Sequence, residues 1–170
     1  MSTPKPSATR QAPRGGQENS GAALRFLESL DPQAIVLDFI GQFRDHWPAD
    51  FDIALAPLAE DASYQIAVPT ITPIRGRAAI KAELLRMQGS VEDQKHEMKC
   101  VAFDGRRTVF TERVDYSLRH GKWTPVPLVA VFEVNEQGQI SSWREFLDLA
   151  RVSREHGMSI DQLLGSLEPH

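Results

Sequence analysis

One cysteine, Cys100, stands in 170 residues, which excludes an intrachain disulfide and any cysteine cluster around a metal. Positive charge is not in excess either. The 19 Lys and Arg face 23 Asp and Glu, for a net charge of -4 and a pI of about 5.7, whereas nucleic-acid binding calls for a basic face to neutralise phosphates. No run approaches the roughly 18 apolar residues of a membrane span, and the N-terminus lacks an apolar leader of the secretory kind. Neither nucleic acid nor membrane is an expected partner, and the expected compartment is the cytoplasm. The five histidines, His46, His96, His120, His156 and His170, share no ligand spacing, so no metal is expected. No internal repeat is evident, and there is no Gly-x-Ser-x-Gly nucleophile elbow. What is present is ordinary for a globular chain: 41% hydrophobic and 25% charged residues, with length for one domain and a sizeable core.

Residues 1–20 are rich in Pro, Ser, Gly and Gln and offer too little apolar surface to offset the entropy of ordering. They are expected to form a disordered tail before a single domain over 21–170. Residues 22–30 suit a short helix. Behind Asp31 as cap and Pro32 at the first helical position, Ile35, Phe39, Ile40 and Phe43 recur at helical spacing, a helix that Pro48 should end. A second short helix is expected over 50–59, although Pro57 disturbs its end. An extended piece follows over 63–68, up to Pro69. Residues 77–88 read as a helix with Ile80, Leu84, Leu85 and Met87 toward the core. From residue 94 the pattern changes to period two. Four strand candidates, 94–105, 108–118, 124–134 and 139–149, are separated by hairpin-compatible turns at Asp104-Gly105, 119–122 and 135–138. Residues 157–167 suit a last helix. Helices followed by an antiparallel meander are the α+β pattern.

Two strand candidates carry charge where an inward side chain is expected. In TVFTERVDYSL, Arg113 and Asp115 are two apart and share a face with Thr111 and Ser117. In ISSWREFLDL, Glu145 shares a face with Trp143, Leu147 and Leu149, an apolar row in which a carboxylate is costly unless paired or neutral. Spacing leaves two readings open. These charges are ordinary solvated pairs, or Asp115, Arg113 and Glu145 meet in one cavity. In the second case two carboxylates bridged by a guanidinium hold different proton affinities and serve as acid and base. Cys100 alternates within its strand and reads as a small hydrophobe. Arg75-Gly76-Arg77 reads as an anion site or equally as a turn and helix start. Val126, Leu128, Ala130, Phe132, Trp143 and Leu147 are core or pocket wall.

The stretch TERVD at 111–115, the VFEV run with Gly138 and Ile140, and WRE at 143–145 with Asp148 resemble the limonene-1,2-epoxide hydrolase family. Tyr64 within SYQ and the preceding helices add to the resemblance, which extends over roughly residues 31–151. It implies a curved, mostly antiparallel mixed sheet of six strands, wrapped by N-terminal helices into a cone with a deep apolar pocket. This is the fold shared with nuclear transport factor 2-like and ketosteroid isomerase-like proteins. It also implies a homodimer, no metal or organic cofactor, and hydrolysis of a small lipophilic epoxide by water. By resemblance Asp115 protonates the epoxide oxygen, Arg113 orients the two carboxylates, Glu145 is the base that activates water, and Tyr64 helps to hold that water. Ile66, Val68, Leu128, Trp143 and Leu147 would line the substrate pocket.

Two departures from the family pattern stand out. The base position holds Glu145 where the family has aspartate. Ile66 replaces an asparagine that also holds the water. An epoxide-opening cyclase, a steroid- or polyketide-type isomerase and a non-catalytic binding module of the same fold are therefore the competing expectations.

Overall fold

A computed structural model describes residues 30–46, 49–89 and 91–169. The tail expected over 1–20, all of the helix expected over 22–30 but Leu30, and Pro48 lie outside the described residues. Residues 31–170 form one compact unit. In chain order it holds α1 (Pro32–His46), α2 (Phe51–Leu55), β1 (Leu58–Gln65), β2 (Ile74–Arg75), α3 (Arg77–Gln88), β3 (Asp93–Phe103), β4 (Thr108–Arg119), β5 (Lys122–Val134), β6 (Ile140–Leu147), α4 (Leu149–His156) and α5 (Ile160–Leu167). The strands form one open six-stranded sheet in the order β2-β1-β6-β5-β4-β3. Among the described residues only β1 with β6 is parallel; the other pairs are antiparallel.

The local elements follow from their residues. Asp31 caps α1 by accepting from the Ala34 amide at 3.0 Å. Phe39, Ile40 and Phe43 are buried where α1 packs on β3 and β4. Edge contacts join Phe39 to Phe132 and Trp143, with ring centres 6.0 and 5.2 Å apart. In α3, Ile80 and Leu84 are fully buried. Leu85, expected in the core, is exposed, because at 100° per residue it lies about 140° round the helix from Ile80. Glu83 occupies that inner stripe instead and is neutralised by Arg86. Helix α2 covers only five residues, shorter than expected. Pro57 has no N–H with which to carry the helix past Ala56, and the chain enters β1 at Leu58, earlier than the expected extended piece. Gly76 takes φ 89° at the start of α3. Arg77 is spent on the carbonyls of Ala56 and Leu58 and on Glu60, so this segment is a helix start rather than an anion site. Among the described residues no helix is long and apolar enough to cross a membrane.

The hairpins set the register. His120 and Gly121 both have positive φ, 51° and 72°, the geometry of a tight two-residue turn that suits strand twist. Pro125 and Pro127 sit on β5 before Leu128, where β6 begins to pair, so their missing N–H groups break no ladder bond to β6. In β3 a bulge between Met98 and Cys100 shifts the pairing with β4 by one residue. Gln94, His96 and Met98 lie on the more buried side before it and Val101 after it. Cys100 is thereby turned out and is exposed, contrary to its reading as a small core residue.

Asp104 shapes the β3–β4 turn by accepting from the backbone amides of Thr108, Arg106 and Arg107 at 3.0, 2.8 and 2.9 Å. These donors favour its ionised form and pull its pKa from 3.8 to about 2. A carboxyl depressed in the folded state contributes stability above its unfolded pKa and loses it as pH falls through the folded value. Chemical denaturation should therefore show Asp104→Ala less stable than the parent at neutral pH. The gap should narrow from about pH 4 down to about pH 2; a gap that persists unchanged at about pH 2 would contradict this.

Candidate active site

The sheet's twofold periodicity turns Val109, Thr111 and Arg113 of β4 to the buried side, while Phe110 is exposed. Glu145 of β6 is buried on the same side. Between the two strands β5 contributes Ala130, in register with both Thr111 and Glu145. A single methyl group there leaves room for a guanidinium to cross.

Arg113 makes that crossing. Its Nε donates to Asp115 Oδ1 at 2.9 Å and Oδ2 at 3.2 Å, Nη1 to Thr111 Oγ1 at 3.1 Å, and Nη2 to Glu145 Oε1 at 2.6 Å. Both carboxylates are thus held by one planar fork, which an ammonium could not match. Glu145 has two further donors. Trp143 Nε1 reaches Oε1 at 3.0 Å and the Tyr64 hydroxyl reaches Oε2 at 3.0 Å. Tyr64 arrives there because parallel pairing sets it beside Trp143, with ring centres 4.2 Å apart. On the other side, His96 Nδ1 lies 2.8 Å from Asp115 Oδ1.

The two acids sit in different electrostatic surroundings. Full burial pushes the Glu145 carboxyl above the usual range, and the nearby Asp115 charge adds to this against Arg113. Asp115 also feels burial, but the charge of Arg113 and the His96 and Arg113 hydrogen bonds outweigh it and hold the carboxyl low. The Tyr64 phenol is driven well up by burial and by Glu145 beside it. Opposed shifts in two linked carboxyls are the signature of an acid–base site.

These groups stand on the wall of a cavity of about 380 Å³, within the range of small-molecule sites. Ile66, Leu128, Trp143 and Leu147 line it as expected, with Phe39, Ile40 and Phe43 from α1. Ala130 and Phe132 are core. Val68 is not on the wall: the chain has left β1, Ala67 has φ 53°, and the Val68 amide is tied to the Glu145 carbonyl at 3.0 Å. Residues from α4 and α5, among them Val152 and Leu163, complete the lining. His96 was not legible as a site residue. Pairing continued from the hairpin turn, where Cys100 meets Glu112, would set Glu97 opposite Asp115. The bulge moves His96 there instead, and a one-residue shift exchanges the two faces of a strand.

Arg113→Met would leave two carboxyls facing each other without their cation. A loss of about 3–5 kcal/mol is expected at about pH 8. It should shrink at about pH 5, because both acids, now raised above their unfolded pKa, are stabilised as they take protons and destabilised as pH rises. Urea melts at the two pH values check this; a loss independent of pH would show that Arg113 does not hold two ionisable partners.

Comparison with known proteins places the chain in a family. Residues 32–156 match the model of the limonene-1,2-epoxide hydrolase catalytic domain. An LEH-like epoxide hydrolase of M. tuberculosis is 27% identical, with a TM-score of 0.59 over 74% of this chain and 91% of that one. SalBIII, an epoxide hydrolase/cyclase-like enzyme with a role in pyran ring formation in the polyether salinomycin, is 18% identical, with a TM-score of 0.61 over 71% and 92%. An NTF2-like protein of Anabaena variabilis is 19% identical, with a TM-score of 0.59 over 68% and 87%. The last two show a common fold. No curated protein matches the chain by sequence. The match over residues 32–156 spans well over half of the chain, and the protein belongs to the limonene-1,2-epoxide hydrolase family.

Proposed function

We propose that this protein opens a small lipophilic epoxide to a vicinal diol by one-step attack of water, with no covalent intermediate. The observation that carries the reading is the single guanidinium holding two carboxyls of opposed proton affinity on an apolar cavity wall. An epoxide is strained, so a base for the water and a proton for the departing oxygen suffice when both are positioned. Glu145 is the base: its raised proton affinity makes the ionised form a stronger acceptor than a solvated carboxylate. Arg113 and Trp143 occupy Oε1, so Oε2 is the oxygen that takes the proton. Tyr64, expected to hold the water, spends its proton on that Oε2; its own oxygen remains an acceptor for the water. The proton for the epoxide oxygen comes from the Asp115 end of the site.

Ile66 favours a second reading. It lines the cavity where an amide would help to hold water, and an apolar side chain there suits attack by a hydroxyl of the substrate itself, giving a ring. Both readings use the same acid and base. The homodimer is also proposed, across the outer sheet face, where Val129 and its cross-strand neighbour Phe146 are exposed.

Acid and base act as a unit, so Asp115→Asn and Glu145→Gln should each lower diol formation from a terpene-like epoxide by at least about 10²-fold, and the double variant by little more. Arg113→Lys should be comparably severe. Product analysis with Ile66→Asn separates the readings. More diol supports limiting water placement, whereas ring product from a hydroxy-epoxide in the parent supports internal attack. Full activity in either amide variant would contradict both.

A further inference from the structure

We infer that the segment after His156 is the specificity-determining wall of the cavity: α5 closes the end remote from the Asp115 and Glu145 carboxyls, and Leu163 limits the bulk of the epoxide admitted there. The inference rests on the proposed epoxide opening and assigns what selects its substrate.

The family match ends at His156, but the cavity wall continues past it. Leu163, Ser166 and Leu167 line the same cavity as Asp115, Arg113 and Glu145. They recur at the i, i+3, i+4 spacing of one helix face, so α5 turns a single stripe to the cavity. Leu163 is the buried member of that stripe, 4% exposed. The stripe lies wholly outside the matched domain, so what it selects belongs to this chain.

Strand β4 gives the direction. Its inward residues run Arg113, Asp115, Ser117, Arg119, and each of them lines the cavity. Arg119 lies four residues past Asp115, about 13 Å along an extended strand. There its Nη2 is 3.5 Å from the Met87 carbonyl near the end of α3, and the neighbouring Arg86 reaches α5. The oxirane belongs at the Asp115 and Glu145 carboxyls. The rest of the substrate therefore extends along β4 toward α5.

Both ends of α5 are fixed. A helix of 8 residues is marginal on its own in water. At its start Ser159 and Gln162 form a reciprocal capping box. At its end Arg86 Nη2 donates to the Ser166 and Glu168 carbonyls at 2.9 and 3.2 Å, groups that a helix terminus leaves unpaired. Arg86 Nε donates to Glu83 at 2.8 Å, which fixes the guanidinium. Gly157, with φ 65°, ends α4 and turns the chain back, and Ser153 Oγ donates to the Met158 carbonyl at 2.6 Å. Leu163 is thus held in position rather than left to swing aside. In an apolar pocket one methylene more or less changes discrimination by about 10-fold or more.

The test measures kcat/KM for diol formation from two epoxides alike at the oxirane, one compact and one with a longer alkyl group at the far end. The parent, Leu163→Ala, Leu163→Phe and Arg86→Met are compared, with a melting temperature for each. Leu163→Ala is expected to raise the ratio of bulky to compact by about 10-fold or more, and Leu163→Phe to lower it by as much. Arg86→Met, which releases the end of α5, should also raise the ratio and speed hydrogen exchange over 159–168. A parent-like ratio in folded Leu163→Ala overturns the inference. Should that variant not fold, a parent-like ratio in Arg86→Met does so. Absence of diol from the parent removes the epoxide reading alone. The role of α5 is then read from the affinities of two alcohols of the same two sizes, measured by calorimetry with the same expected ratios. Equal ratios in parent and variants overturn it.

Discussion

The Arg113 guanidinium is the interaction on which the rest of the site depends. It is buried, and it is the cation that both carboxyls share. Taking such a group out of water costs several kcal/mol, which only close, multiple hydrogen bonds offset. Asp115, Glu145 and Thr111 supply them. The dependence is mutual, because each acid stays in an apolar cavity wall only while the guanidinium faces it. The unequal surroundings of the two acids then separate their proton affinities, and that separation is what acid–base chemistry uses.

The fold is arranged around that fork. Period two places Thr111, Arg113 and Asp115 on one face of β4, β5 puts Ala130 in the gap, and β6 brings Glu145 to the far side. The parallel pairing of β1 with β6 carries Tyr64 from a distant part of the chain to the Glu145 carboxyl. The longer glutamate is accommodated without losing its contacts: Tyr64, Trp143 and Arg113 all reach it. Helix α1 supplies apolar wall with Phe39, Ile40 and Phe43, and beside apolar wall the electrostatic interactions of the polar groups are stronger than in bulk water.

Much of this was legible in local pattern. Helix α3 coincides with its expected span of 77–88, and the four meander strands fall where alternation put them. Period two puts Arg113 and Asp115 on one face and Glu145 in an apolar row, but leaves open whether those faces turn to solvent or to a cavity. What local pattern could not carry was phase and long-range pairing. The bulge after Met98 exchanges the faces of β3, hiding His96 among surface-looking residues and presenting Cys100 as core. Strand β1 begins five residues before the expected extended piece, because pairing with β6, about 80 residues later in sequence, decides its bounds. Val68, expected on the wall from the resemblance, lies past Gln65, where β1 has ended and the chain turns away.

Isotope tracing addresses the central claim, direct attack by water. The protein in molar excess over a terpene-like epoxide, in ¹⁸O-labelled water, performs a single turnover. One-step attack puts the label in the first-turnover diol and leaves the protein carboxylates unlabelled. An unlabelled first-turnover diol, with ¹⁸O then found in Asp115 or Glu145, would show a covalent ester and contradict the account.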